Sequence, residues 1–317
     1  MDPLSDVFRV VRLNGAFFYL VEAAAPWSVA ALAARDLAPR ILPESEHLIS
    51  YHIVTGGSCW AGVKGEPQRR LVAGDVIVFP HGDPHVMSSQ QDRRIAGDDF
   101  DAAPARYPGT VTVGGGGDRD TTFVCGFLGC DARPFNPLLA ALPRLMRVQC
   151  PASGADDLLD SLIGLTLAEA RARRPGGEAI RLRLSELMFV EVVRRYLEAL
   201  PAEQTGWLAG LRDPGIGRAL SLLHDRPAHP WTLEELASRS GLSRSVLAER
   251  FARLVGQPPM QYLTCWRVQM AARLLADGGA KVAAVGQEVG YASEAAFSRT
   301  FKRVAGMSPA AWRTRAS

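Results

Sequence analysis

Over the first 130 residues, apolar and polar positions alternate in short runs separated by Gly, Pro and Asp: HLISYHIVTGG, SCWAGV, DVIVFP and TTFVCGFL. A period of two is the mark of a strand, and evenly spaced short runs of it predict an antiparallel barrel or sandwich over about 8–130. From about 134 to 206 the pattern becomes helical, with NPLLAALPRLM and DDLLDSLIGLTLAEARARR before a Pro-Gly-Gly break at 175–177. In the helix that follows, EAIRLRLSELMFVEVVRRYLEAL, Ile180, Leu184, Leu187 and Val190 keep i, i+3/i+4 spacing. The consecutive apolar residues Leu187, Met188, Phe189 and Val190 exceed what one core face needs. A dimer interface and packing on the barrel are both readings of that excess. From about 213 onward the chain reads as short helices punctuated by glycine.

Within that last part GLSRSVLAERFARLVGQPPMQYL (241–263) repeats as YASEAAFSRTFKRVAGMSPAAW (291–312), a period of 50. Ser243 matches Ser293, Leu247 matches Phe297, Phe251 matches Phe301, Arg253 matches Arg303, Gly256 matches Gly306 and Pro259 matches Pro309. Two copies make a duplicated motif and no solenoid. Before the first copy Thr232 opens TLEELASRSG with Glu235 three residues on, which predicts a reciprocal capping box. Gly241 then makes a turn and Ser243 caps a second helix; VAAVGQEVG, Gly290 and Ser293 do the same in the second copy. Helix, tight glycine turn and polar-faced second helix is the helix-turn-helix pattern. A longer helix from near Pro259 joins the units, with Tyr262, Trp266, Met270 and Leu274 in one stripe that can bury against both.

Charge sharpens this division. The chain of 317 residues has a formal charge of only +3, but residues 213–317 hold 14 basic and 8 acidic side chains, so the remainder is net acidic. A basic C-terminal part suits a polyanion. Five sparse cysteines, an acidic start and no apolar run long enough to span a bilayer favour a cytoplasmic protein, nucleoid-associated when on DNA, with no membrane partner.

The run YASEAAFSRTFKRVAGMSPAAWR, with Gly306, Ser308-Pro309 and Arg313, resembles the signature of the AraC/XylS family of transcription regulators, in which a linker helix joins two helix-turn-helix subdomains. The resemblance covers 213–317 and implies that the second helix of each unit enters successive major grooves of DNA. By position, Arg244, Ser245, Ala248 and Glu249 in the first unit and Glu294, Ala295, Ser298 and Arg299 in the second face the bases. Arg250, Lys302, Arg303 and Arg313 are read as backbone contacts. Glu249 departs from the basic or polar residue often found there.

Residues 74–85, GDVIVFPHGDPH, resemble the second cupin motif, in which the residue at His85 is a metal ligand in the metalloenzymes. The first motif's His-x-His pair is absent; His47 and His52 remain, and strand alternation lets only one face inward, here assigned to His52. His52, Trp60, His81, His85 and Cys125 are candidates for an effector pocket. His52, His85, Cys59, Cys125 and Cys130 carry donor types that suit zinc or another divalent metal, although no cofactor is required by the sequence and no C-x₂-C spacing occurs.

The resulting expectation is an α+β chain: a cupin-like β-barrel sensor (1–133), a helical dimerisation and linker region (134–212) and an all-α double helix-turn-helix domain (213–317). It predicts a transcription regulator with no enzymatic activity, most simply an activator and homodimer that meets promoter DNA, a small-molecule effector and RNA polymerase. The alternative is a metal-dependent cupin enzyme fused to a DNA-binding module.

Overall fold

The computed structural model describes residues 2–11, 13–91, 110–114, 116, 118–149, 157–172, 174–201 and 203–316. They form two compact units, one of residues 13–131 and 142–199, the other of 1–12, 132–141 and 200–317. These units cut across the linear division expected from texture. Residues 1–12 lie with the helical unit because helix α1 (Pro3–Val10), capped by Asp2 whose carboxylate accepts the Ser5 N–H, packs there on α7 (Pro214–Asp225) and α10 (Pro259–Ala276). The short α3 (Pro137–Ala141) likewise packs on α6 (Trp207–Arg212).

The sheet-rich unit contains β1 (Leu13–Ala24), β2 (Ser28–Ala31), β3 (His47–Gly56), β4 (Ser58–Val63), β5 (Arg69–Val72), β6 (Asp75–Phe79), β7 (His85–Ser88), β8 (Thr110–Gly114), β9 (Thr121–Cys130) and β10 (Met146–Gln149). Two sheets result, ordered β10-β6-β3-β9-β1-β8 and β2-β7-β4-β5. Among the described residues every pairing is antiparallel except β1 with β8. A helix that the alternation did not predict, α2 (Ala34–Ile41), contributes Ala34 and Leu37 to the core. That core holds Tyr19, Leu48, Val54, Cys59, Ala61, Phe79, Met87 and Phe123.

Strand alternation assigns the other face of β3 to the helices. Ile49, Tyr51 and Ile53 meet Leu159 of α4 (Leu158–Ala172) and Met188, Phe189 and Val192 of α5 (Gly177–Glu198). The Tyr51 hydroxyl and Ser185 Oγ lie 3.2 Å apart inside this layer. The apolar excess of α5 is thus partly explained by packing on the sheet, while Ile180 and Leu187 remain 46% and 54% exposed, and Leu158 and Leu165 on α4 50% and 56%.

The helical unit continues with α8 (Leu233–Ser240), α9 (Arg244–Val255), the long α10, α11 (Val282–Glu288), α12 (Glu294–Ala305) and α13 (Pro309–Ala316). Helix α10 serves both subdomains, as its stripe requires. Tyr262 lies edge-on to Phe251 of the first at 5.8 Å, and Val268, Ala272 and Leu275 join Val285, Phe297, Phe301 and Trp312 in the core of the second. Tyr262 also receives the Trp207 Nε1–H at 2.8 Å and donates to His224 Nε2 at 2.7 Å. That leaves the Nδ1–H of the neutral imidazole facing buried Asp6 Oδ2 at 3.8 Å.

Candidate functional sites: a double helix-turn-helix face and a barrel pocket

The two helix-turn-helix frames are built alike. Ser243 Oγ accepts the Val246 N–H and Ser293 Oγ the Ala296 N–H, each at 3.3 Å, so both second helices start on the same cap. Both end on a left-handed glycine, Gly256 and Gly306. Leu247, Phe251, Phe297 and Phe301 are fully buried, which turns the opposite side of each helix to solvent. In the first unit Thr232 Oγ1 accepts the Glu235 N–H at 3.1 Å. The reciprocal half of the expected box is replaced, because the Glu235 carboxylate is held by His229 and Arg239, each at 2.9 Å.

Of the expected DNA-facing residues, Arg244, Ser245, Glu249, Glu294, Ala295 and Arg299 are exposed, and Ala248 and Ser298 are half-buried on the same faces. Arg244 pairs with Glu234 at 2.9 Å across a wet surface, a weak bond that a phosphate can replace. Lys302 and Arg303 are exposed. Arg250 and Arg313 are committed within the unit: Arg250 pairs with Asp213, the cap of α7, and Arg313 donates to the Ala280 carbonyl at 2.5 Å. Exposed Arg253, one helical turn beyond Glu249, was not singled out for this face by the sequence reading, although its match to Arg303 in the repeat signals it.

In the sheet-rich unit β3 and β9 pair with His52 opposite Cys125, and β7 presents His85 from its first residue. Cys125 Sγ lies 2.9 Å from His52 Nδ1, His52 Nε2 lies 2.6 Å from His85 Nε2, and His85 Nδ1 lies 2.9 Å from the Asp83 carbonyl. A carbonyl accepts only, so His85 Nδ1 carries the proton and its Nε2 accepts. His52 Nε2 is then the donor, its Nδ1 accepts, and the Cys125 S–H donates to it. Every group in this chain is neutral and satisfied. Burial keeps it so: it holds His52 well below the ordinary imidazole range, pushes His85 down to about 4 and raises the Cys125 thiol, toward which Tyr19 also turns its hydroxyl. Phe79 stacks flat on His85 at 3.7 Å.

His52, His85 and Cys125 line a narrow apolar pocket with Tyr19, Val29, Ala31, Leu37, Met87, Phe123 and Phe127. Of the expected effector residues, His52, His85 and Cys125 are therefore together. Trp60 is not among them, because Cys59, Ala61 and Val63 take the interior face of β4 and Trp60 the other. His81 is drawn away to the Leu142 carbonyl at 2.9 Å, and His47 to that of Pro80 at 2.7 Å. Tyr19, Phe123 and Phe127 were missed; the alternation of β9 marks the two phenylalanines as neighbours of Cys125 on one face.

The expected metal donors do not converge. His52 spends its two nitrogens on opposite sides of the ring, toward Cys125 and toward His85, so one ion cannot take all three in this arrangement. Cys130 stands five positions from Cys125 on one strand and so faces the other way. Among the described residues no group of three His, Cys, Asp or Glu is disposed to hold a metal ion.

Comparison with known proteins gives two family matches, a cupin model over residues 2–198 and a helix-turn-helix domain model over 236–315. A putative AraC-like transcription regulator of Streptomyces antibioticus is 33% identical over 314 residues, covering 99% of this chain and 98% of that one. The HTH-type transcriptional regulator AlkR of Acinetobacter baylyi is 28% identical, covering 99% of each chain. Among solved structures, the DNA-binding domain of AdpA in complex with a target DNA is 33% identical over 32% of this chain and 92% of that one, with a TM-score of 0.31.

Proposed function

The chain belongs to the AraC-like transcription regulators, with a cupin domain ahead of a helix-turn-helix DNA-binding domain, and from that membership we propose that it switches a promoter in response to a small, uncharged, largely apolar effector. Its full-length relatives are named as regulators, so an enzyme is not indicated, and the alternative of a metal-dependent cupin enzyme has no support in them.

One observation carries the sequence-specific part of the reading. The two second helices share cap, core anchors and terminator, and each leaves a polar face open to solvent with no role in the fold. The effector class follows from the pocket. Its polar groups, Tyr19, His52, His85 and Cys125, are neutral and its remaining walls aliphatic or aromatic, so an ionic ligand would lie there unpaired at a cost of several kcal/mol. The same reading has the protein act as a cytoplasmic homodimer and activator that meets RNA polymerase. Exposed Leu158, Leu165, Ile180 and Leu187, spaced by seven on each helix of the α4/α5 pair, support self-association. Among the described residues no helix is long and apolar enough to cross a membrane.

Footprinting with the full-length protein on DNA upstream of its own gene tests this, with a panel of uncharged apolar compounds and matched carboxylates added in turn. The expected result is a protected site spanning two successive major-groove turns whose affinity changes with an uncharged compound only. Uniform coverage of the fragment, or a response confined to the carboxylates, would overturn it.

A further inference from the structure

The 50-residue repeat sets Glu249 against Arg299: each is the sixth residue after its capping serine, on the open side of its helix. Two frames of the same construction thus carry opposite charges at one equivalent position. Both side chains are exposed, and among the described residues neither makes a hydrogen bond or an ion pair. Glu249 has Arg253 four residues on, the favourable spacing for a helical ion pair, and forms none. A lone carboxylate on a face that approaches phosphates is repelled by them, so its presence needs a compensating contact.

A carboxylate only accepts. In the major groove cytosine offers the N4 amine with no acceptor beside it; adenine sets N7 next to its N6 amine, thymine shows O4 and a methyl, and guanine shows two acceptors. Cytosine is the one base whose edge gives a carboxylate a donor without a repelling neighbour, and guanine is the worst. Arg299 has the reverse requirement, since its guanidinium donates through two N–H groups to guanine O6 and N7.

We propose that the two helices read the same kind of base pair from opposite strands, Glu249 accepting from the N4 amine of a cytosine in one major-groove turn and Arg299 donating to a guanine in the next. Glu249 is then a specificity residue that excludes guanine at its position. This inference rests on the sequence-specific reading above.

Selection of binding sites by the full-length protein from randomised duplexes, followed by anisotropy titrations at fixed salt, tests it. The expected consensus has two fixed C·G pairs about 10 base pairs apart. Glu249→Ala is expected to lose about 10- to 100-fold of the discrimination at the first pair and none at the second, and Glu249→Arg to prefer guanine where cytosine stood. Both substitutions lie on an exposed helix face, and an unchanged melting temperature verifies the fold. Equal tightening of Glu249→Ala on every sequence would show that the carboxylate merely repels phosphate and would overturn the proposal, as would variants that keep the cytosine preference. A wild-type protein that selects no consensus overturns the sequence-specific reading itself, which separates the two failures.

Discussion

Lowering the pH from 7 to 5 is expected to destabilise the sheet-rich unit through His85. Burial holds this imidazole down at about 4, against an ordinary value of 6.5. Its folded value is depressed, so the unfolded chain binds a proton that the native state refuses. The stability associated with the neutral ring is complete above pH 6.5 and is lost as the pH falls from there toward 4. Within that window the loss approaches 1.36 kcal/mol per pH unit, or about 2 kcal/mol between pH 7 and 5. His52, lowered in the same direction by burial and by its neighbour, adds to it. Urea unfolding of the wild type and of His85→Gln at pH 7, 6 and 5, followed by tryptophan fluorescence, isolates the contribution of His85 together with its coupling to His52, because the titrations outside that pair are common to both proteins. At a slope of about 2 kcal/mol per molar urea, the wild-type midpoint should fall by about 1 M more than that of the variant. Parallel pH profiles, or a wild type that gains stability in acid, would refute the neutral Cys125–His52–His85 chain and imply an imidazolium held by an acceptor.

Three further outcomes follow from the helical unit. Arg299→Ala should cost about 1–3 kcal/mol at one base pair and little elsewhere, by anisotropy on single-pair operator variants; equal loss on all sequences would assign Arg299 to phosphate. Phe297→Ala removes a fully buried ring from the second subdomain core and should cost about 3–5 kcal/mol, seen as a lowered melting temperature with DNA affinity lost in parallel. Gly290→Ala should destabilise by more than about 1 kcal/mol in denaturant titrations. Gly290 sits at φ +90°, and an added Cβ would stand 2.6 Å from the Ala228 carbonyl oxygen.

The helix-turn-helix pair was legible because its determinants are local: Ser243 and Ser293 cap within three residues, Gly241 and Gly290 turn the chain, and the stripe on α10 follows one period. The inward face of His52 was legible for the same reason, from alternation alone. Alternation does not specify which strands become neighbours. Tyr19 is therefore a pocket residue only through the pairing of β1 with β9, and Trp60, a pocket candidate by residue type, lies on the face of β4 away from the core. Donor types likewise suggested a metal, whereas the 2.6 Å contact between two imidazoles, which only the tertiary structure supplies, makes them partners of each other. The role of α1 depends on Asp6 meeting His224 across more than two hundred residues, a separation that no local pattern encodes.

That placement of α1 has an evolutionary consequence. Leu13 and Cys130 pair on one rung, and from that rung the chain passes into the helical unit in both directions, through residues 1–12 and 132–141. Phe135 N donates to Gln269 Oε1 at 2.9 Å, and its ring meets Tyr262 edge-on at 5.6 Å, so these segments finish a core that residues 200–317 leave incomplete. Recombination at a single crossover near residue 200 would hand the new gene an unfinished reading head. On the function proposed above, sensor and reader are inherited together in such a chain, and a new signal is acquired by mutation inside the pocket more readily than by exchange of a cassette.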